Sequence, residues 1–349
     1  MKLVCAPMAA IGHPAFRMMI ERFGGCDEYY TEMIHAPSLL NGGPFERFYT
    51  DPAPVPEKIV WQLTGPSPGP MIDAAGMLAA RGGIGIDVNM GCCAPEIYSS
   101  GAGIAWMSKP AAEVRALVRG IRDVLDGFER NGGGARRLSV KIRLGEEGFT
   151  DGGLLSFCDN LVDAGARQIA VHPRTRKEKF REKPRLAYGE LLAARYASAG
   201  VSVIVNGGIA DVPGAAAALR QCPSCAGLMI GRAAVQKPWI FAELAGSPEL
   251  AAYREPASAP ADGAREAEVD LLRLAQDFIA DVKVCQPPEF WRTRLQRFFS
   301  YYAANMSFAH YLRTKLLNAP DPDAAVGVLS EYFEQVPDDR VLIYPRGRT

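Results

Sequence analysis

The chain has 349 residues, with 39 basic and 39 acidic side chains, so its formal net charge is zero and any contact with nucleic acid must come from local basic patches. Hydrophobic residues make up 48% and charged residues 22%, as in a globular enzyme, and no apolar run approaches the roughly 20 residues of a membrane-spanning helix. The opening MKLVCAPMAAIG lacks the basic stretch and longer apolar stretch of a signal peptide, and eight cysteines in a chain this long do not read as a disulfide framework. The expected setting is reducing and cytoplasmic.

Short apolar or β-branched runs recur at 3–8, 28–33, 58–63, 85–89, 138–144, 168–172, 201–206 and 227–230. Continuous apolar runs that end in a polar residue or glycine mark buried parallel strands. Eight of them, most separated by helix-like stretches, predict an α/β fold, a (β/α)8 TIM barrel over 1–245, with its chemistry at the C-terminal ends of the strands. Around 246–265 the composition turns to Ala, Pro, Ser and Gly, which reads as a linker. Helical spacing returns at 266–284, 289–305 and 309–317, so 246–349 is expected to hold the linker and a small C-terminal helical domain.

The strand ends gather polar groups on one rim. In chain order they read Pro7-Met8, Thr31-Glu32-Met33, Gln62, Asn89 to Cys92, Lys141 with Arg143, His172 with Arg174, Asn206-Gly207-Gly208, and Gly231-Arg232. The stretch DVNMGCCAPEIYSSGAGIAWM at 87–107 is the most informative. Asn89 carries an amide that donates and accepts, which suits a nucleobase edge, and Cys92 follows on a glycine-rich turn. Gly101 and Gly103 let backbone approach a ligand without Cβ interference. Cys5, Cys158 and Cys285 read as core thiols. Cys222 and Cys225 form a CxxC without a second pair or matching histidines, so no metal site is expected.

Glycines at the ends of the last two strands, with Arg232 and a following helix, make the usual phosphate seat of such a barrel. Gln62 can bond a ring carbonyl and nitrogen. Lys141 is a lysine inside an apolar strand, a costly charge unless it meets a partner such as Glu32 or an electron-rich ring. From His172 to Arg185 the chain carries seven Lys or Arg against two Glu, a basic loop leaving directly from the rim. The segment FWRTRLQRFFSYY at 290–302 adds Arg292, Arg294 and Arg297 among aromatics that read as core. These patches favour RNA over a small acid as partner.

Taken together the motifs resemble the dihydrouridine synthase family, flavin enzymes that reduce uridine in RNA. The matching pieces are APM at 6–8 with Phe16-Arg17, TEM at 31–33, QL at 62–63, DVNMGC at 87–92, KIRLG at 141–145, HPRTR at 172–176, NGG at 206–208 and MIGR at 229–232. The resemblance implies FMN as cofactor, NADPH as reductant, and transfer RNA as the first-choice substrate. It implies hydride delivery from flavin N5 to uracil C6, with Cys92 as the acid that protonates C5. By position, Asn89 would hold the base. Met8, Ala10, Gln62, Lys141, His172, Asn206, Gly208, Gly231 and Arg232 would bind FMN. Arg143, Arg174 and Arg176 would meet substrate or phosphate, and the helical domain would bind RNA. Three departures stand out: Cys93 where Pro usually follows the catalytic Cys, Ala9-Ala10 for Glu-Gly, and Gly208 where an acid is common. The rival readings are an FMN barrel acting on a free small molecule, of dihydroorotate or enoate type, and an RNA-binding scaffold without turnover. A metal-dependent hydrolase is disfavoured, since the rim lacks a His/Asp ligand set. Oligomeric state, the target uridine, transfer against ribosomal RNA, NADPH against NADH and the role of Cys93 stay open.

Overall fold

The computed structural model describes residues 1–254 and 266–345. Nine strands form one sheet: β1 (Lys2–Cys5), β2 (Glu28–Tyr30), β3 (Ile34–His35), β4 (Ile59–Thr64), β5 (Gly85–Met90), β6 (Arg137–Ile142), β7 (Gln168–Val171), β8 (Ser202–Asn206) and β9 (Gly227–Ile230). The sheet runs β2-β1-β9-β8-β7-β6-β5-β4-β3, and an added pairing of β2 with β4 closes eight strands into a ring. This is a (β/α)8 TIM barrel. Each of the eight expected strands is present, most of them trimmed by one to three residues at an end. The second expected strand is interrupted: β2 stops at Tyr30 and β3 continues its line along β4, pairing Ile34 with Leu63. At the break the Thr31 hydroxyl accepts the Gln62 backbone N–H at 3.0 Å, replacing a ladder carbonyl.

Alternation decides what fills the bore. Val4, Tyr30, Val60, Ala170, Ile204 and Met229 make an interior layer drawn from six strands. On the outside the helix Ala111–Arg130 buries Val114, Leu117, Val118, Ile121 and Leu125, the stripe an amphipathic helix presents to a sheet. The helix Asp151–Asp163 starts where the Thr150 side chain accepts the Gly153 N–H, satisfying one orphan donor of its first turn.

By compactness the chain divides into two units. Met1–Pro7, Asp27–Ile209 and Ala217–Met229 form the first; Met8–Cys26, Ala210–Ala216 and the described residues from Ile230 onward form the second. The second holds the helices Leu271–Cys285, Pro288–Tyr302, Ala309–Leu317 and Pro322–Gln335, around an aromatic stack in which Phe298 lies 4.1 Å from Phe278 and 5.1 Å from Tyr302. Arg294 is buried there, while Arg292 and Arg297 face solvent. Two findings correct the sequence expectation. Residues 266–270 are not helical: β10 (Glu266–Asp270) pairs antiparallel with β11 (Val341–Pro345), and the helix begins after Asp270, whose carboxylate caps the Arg273 N–H. The helix Pro322–Gln335 was not expected, although Asp321 followed by proline is a start signal, and its carboxylate accepts the Ala324 N–H. Of the expected linker, 255–265 lies outside the described residues, while Pro248–Tyr253 is a 3-10 turn with Leu250 buried.

His13, just before the helix Pro14–Glu21, is buried against the Phe278 ring at 5.9 Å, and neither ring nitrogen has a hydrogen-bond partner among the described residues. Burial, and then the charges of Arg294 and Arg17, hold its pKa well below the usual value. Folding therefore requires the neutral ring. Its contribution is complete above the unfolded pKa of about 6.5 and is lost as pH falls, by about 1.4 kcal/mol per unit. Thermal melts between pH 7.5 and 5.5 are expected to show a falling Tm that His13→Leu flattens.

Candidate active site

At the C-terminal end of β5 the chain turns sharply through Gly91 and Cys92. Asn89 holds that turn: its Oδ1 accepts the backbone N–H of Gly91 at 3.2 Å and of Cys92 at 2.9 Å. The downstream glycine is needed for steric reasons. A Cβ on Gly103 (φ 60°) would lie 2.5 Å from the Cys92 carbonyl oxygen and 2.8 Å from Ile97 Cγ2. Burial pushes the Cys92 thiol pKa upward, outweighing the nearby Lys141 and Arg143 charges, so the sulfur keeps its proton at neutral pH.

The Asn89 amide belongs to a chain of hydrogen bonds across the bore. Its Nδ2 donates to Gln62 Oε1 at 2.9 Å, and Gln62 Nε2 donates to Asp87 Oδ2 at 2.8 Å. From the other side Gln168 Nε2 donates to the Tyr30 hydroxyl at 2.6 Å, Tyr30 to Ser139 Oγ at 3.3 Å, and Ser139 to Asp87 Oδ1 at 2.7 Å. Every donor in the chain points toward Asp87. Burial raises this carboxyl to about 6, against the lowering pull of Gln62, Ser139 and Lys141, so it is mostly ionised at pH 7. Gln62, expected at a ring edge, is fully buried with both ends of its amide engaged here. Asp87, Ser139, Tyr30 and Gln168 escaped the sequence reading, although Asp87 shares its strand face with Asn89 two residues on, a period-two signal.

Around the same rim Lys141 at the end of β6 donates to Asn206 Oδ1 at 3.0 Å, and Asn206 Nδ2 donates to the Met229 carbonyl at 2.7 Å. The expected Lys141 and Asn206 thus meet directly. Burial and then the Arg143 charge lower Lys141 to about 8. Gly207 (φ 118°) and Gly208 (φ 75°) follow in conformations that L side chains rarely adopt. A Cβ at Gly207 would sit 2.7 Å from His172 Cδ2. His172 Nε2 lies 2.7 Å from Arg174 Nη1, and both residues are buried.

The arginines separate by role. Arg143 is a buried strut: its Nε donates to the Gly91 carbonyl at 3.1 Å and its Nη1 to the carbonyls of Thr175 and Lys179 at 3.2 Å. It therefore ties the Cys92 turn to the basic loop. Arg176 pairs with Glu146 at 2.7 Å and lies 4.3 Å above the Tyr98 ring. Lys177 pairs with Glu147 and Arg185 with Glu178, while Lys179, Arg181 and Lys183 are exposed and have no ion pair among the described residues. Met8, Ala10, Gly231 and Arg232 fall in the second unit. There the Met8 carbonyl accepts the N–H groups of Ile11 and Gly12 around a left-handed Ala10 (φ 62°), and Gly231 precedes the short helix Arg232–Gln236.

Asp87→Asn places an NH2 group against donors from Gln62 or Ser139. It is expected to cost about 1–3 kcal/mol of stability, and Ser139→Ala, which leaves one carboxylate oxygen short of a donor, about 1 kcal/mol. Urea titrations of both variants check this order.

A protein-family model described as Dihydrouridine synthase (Dus) matches residues 4–272. A probable tRNA-dihydrouridine synthase of Rhodobacter capsulatus is 31% identical over 250 residues, covering 70% of this chain and 71% of that one. A probable tRNA-dihydrouridine synthase of Aquifex aeolicus is 30% identical over 244 residues, 69% of this chain and 72% of its own. A Mus musculus relative named as a tRNA-dihydrouridine(47) synthase, with NAD(P)(+) in its name, is 30% identical over 247 residues, 70% of this chain and 36% of the longer mouse protein.

Proposed function

This chain belongs to the dihydrouridine synthase family, and from that premise we propose that it reduces specific uridines in transfer RNA to 5,6-dihydrouridine, with FMN as cofactor and NADPH as reductant. The observation that carries the reading is Cys92, a half-buried thiol kept protonated by its surroundings, on a turn that Asn89 fixes at the barrel rim. The rim residues of the first unit fit FMN in kind. Lys141 is a cation suited to an electron-rich ring, Asn206 and His172 are hydrogen-bonding groups at neighbouring strand ends, and Gly207-Gly208 leaves backbone bare for a ribityl phosphate. The roles of Met8, Ala10, Gly231 and Arg232 toward FMN rest on the motif match alone. When bound, reduced FMN supplies the hydride that adds to uracil C6.

The protein's part is to hold the base and move one proton. Cys92 Sγ gives its proton to C5, and a thiol with a raised pKa is in the right form to do so throughout the neutral range. Asn89, expected to hold the base, gives its amide to Gln62 and to the Gly91–Cys92 turn, so its part here is to fix the turn that aims the sulfur, and Arg143 braces that turn from the Gly91 carbonyl. An extruded uridine is the form of substrate that reaches such a recessed site. The exposed Lys179, Arg181 and Lys183 supply the local positive charge an RNA backbone needs on a neutral protein, while the buried Arg174 and the Glu146-paired Arg176 keep a substrate role on the motif match alone. A nicotinamide nucleotide as reductant accords with the NAD(P)(+) in the mouse relative's name. The eight cysteines, all free thiols, accord with a cytoplasmic setting.

Cys92→Ala is expected to retain flavin yet lose about 10²–10⁴-fold in uridine reduction, with Cys93→Ala close to wild type, measured as dihydrouridine formed in transfer RNA. Lys141 loses its charge as pH rises through about 8, so turnover should fall on that limb. Lys141→Arg, whose cation persists, should move the limb to higher pH, whereas an unmoved limb assigns it to another group.

A further inference from the structure

A cavity of about 630 Å³ lies at the opposite end of the strands, beside the residues that enter β5, β6 and β7. Arg119, Arg122, Arg136, Arg137 and Arg167 line it, reached from the helix Ala111–Arg130 and from the turns before β6 and β7. Two of these are neutralised. Arg137 forks onto Glu28 at 2.6 and 2.8 Å, a carboxyl that burial would raise but that Arg137 and Lys2 hold below its usual pKa. Arg122 pairs with Asp126 at 2.6 Å. Arg119 donates only to the Asp163 carbonyl, and among the described residues Arg119, Arg136 and Arg167 have no ion pair. The Nε atoms of Arg122, Arg136 and Arg137 are out of solvent and have no hydrogen-bond partner among the described residues.

We infer that this cavity binds a phosphorylated small molecule of nucleoside diphosphate size, at a site separate from the catalytic rim. Planar guanidinium forks recognise phosphate oxygens in pairs, and several around one space suit two linked phosphates better than one. The volume lies in the range of small-molecule sites. Asp126, Glu129 and Asp163 also line the cavity, and their carboxylates suit ribose hydroxyls or base amino groups while opposing a continuous phosphodiester backbone. The ligand would bridge the helix Ala111–Arg130 to the strand entries and so stabilise the barrel from the end that performs no chemistry.

The test uses full-length, flavin-loaded protein, so that phosphate seats at the rim are filled. Calorimetric titration and thermal melts are run with ADP, pyrophosphate, orthophosphate and a short single-stranded RNA. ADP is expected to bind saturably and to raise the Tm by about 5 °C at saturation, with pyrophosphate weaker. Arg119→Gln combined with Arg136→Gln should weaken ADP by about tenfold or more, leaving flavin content and uridine reduction unchanged. If that pair does not fold, Arg167→Gln serves in its place. No saturable binding of ADP or pyrophosphate overturns the inference, as does binding that survives both substitutions. RNA that competes with equal affinity also overturns it, in favour of backbone docking.

Discussion

An ionised carboxylate can only accept hydrogen bonds, and Asp87 places one in the middle of the barrel bore. That one-sidedness orients everything attached to it. Gln62 must turn its NH2 toward Asp87, which leaves its oxygen for Asn89. Asn89 then gives its NH2 to Gln62 and turns its own oxygen to the amides of Gly91 and Cys92. The conformation of the turn that carries the Cys92 sulfur is thus set by a charge two amides away. A neutral residue at 87 would let either amide rotate, and the Cys92 turn would lose its reference.

The same burial sets the protonation of the groups around it in opposite directions. It keeps Cys92 a thiol and makes Lys141 a weaker base, because both charged forms are penalised out of water. Lys141 remains a cation at neutral pH because Asp87 offsets part of the loss, and its ammonium donates to Asn206. Arg143 adds repulsion to Lys141 but is needed mechanically, since it joins the Gly91 carbonyl to the basic loop. One rim layer therefore holds a protonated thiol, a positive charge and the strut that joins the Cys92 turn to the basic loop.

The barrel was legible because parallel strands buried on both faces leave continuous apolar runs, and the polar residues ending those runs are the rim. Cys92, Lys141, Asn206 and His172 stood out for that reason. The inner polar layer did not, because Tyr30, Ser139 and Gln168 each look like a lone exception inside a strand, and only closure of the ring brings them together. The break at Thr31 was equally hidden, since nothing local shows that its hydroxyl will replace a carbonyl. EAEVD at 266–270 has helix-forming composition, and its pairing with Val341–Pro345 depends on a partner about 70 residues on. The basic loop carries seven Lys or Arg against two Glu in its own sequence, yet Glu146 and Glu147, roughly 30 residues earlier, take up two more of its charges.

The crossing of the bore also constrains how the molecule is made. Its members come from β4, β5, β6, β7 and β2 or their ends, with sequence separations that reach 138 residues between Gln168 and Tyr30. A nascent or partly assembled sheet holds the acidic side chain of Asp87 without its full set of donors, and such a state gains by exposing it to water. The full set of donors around Asp87 exists only when β2, β4, β5, β6 and β7 are all in place, so closure of the ring and satisfaction of its buried charge are one event.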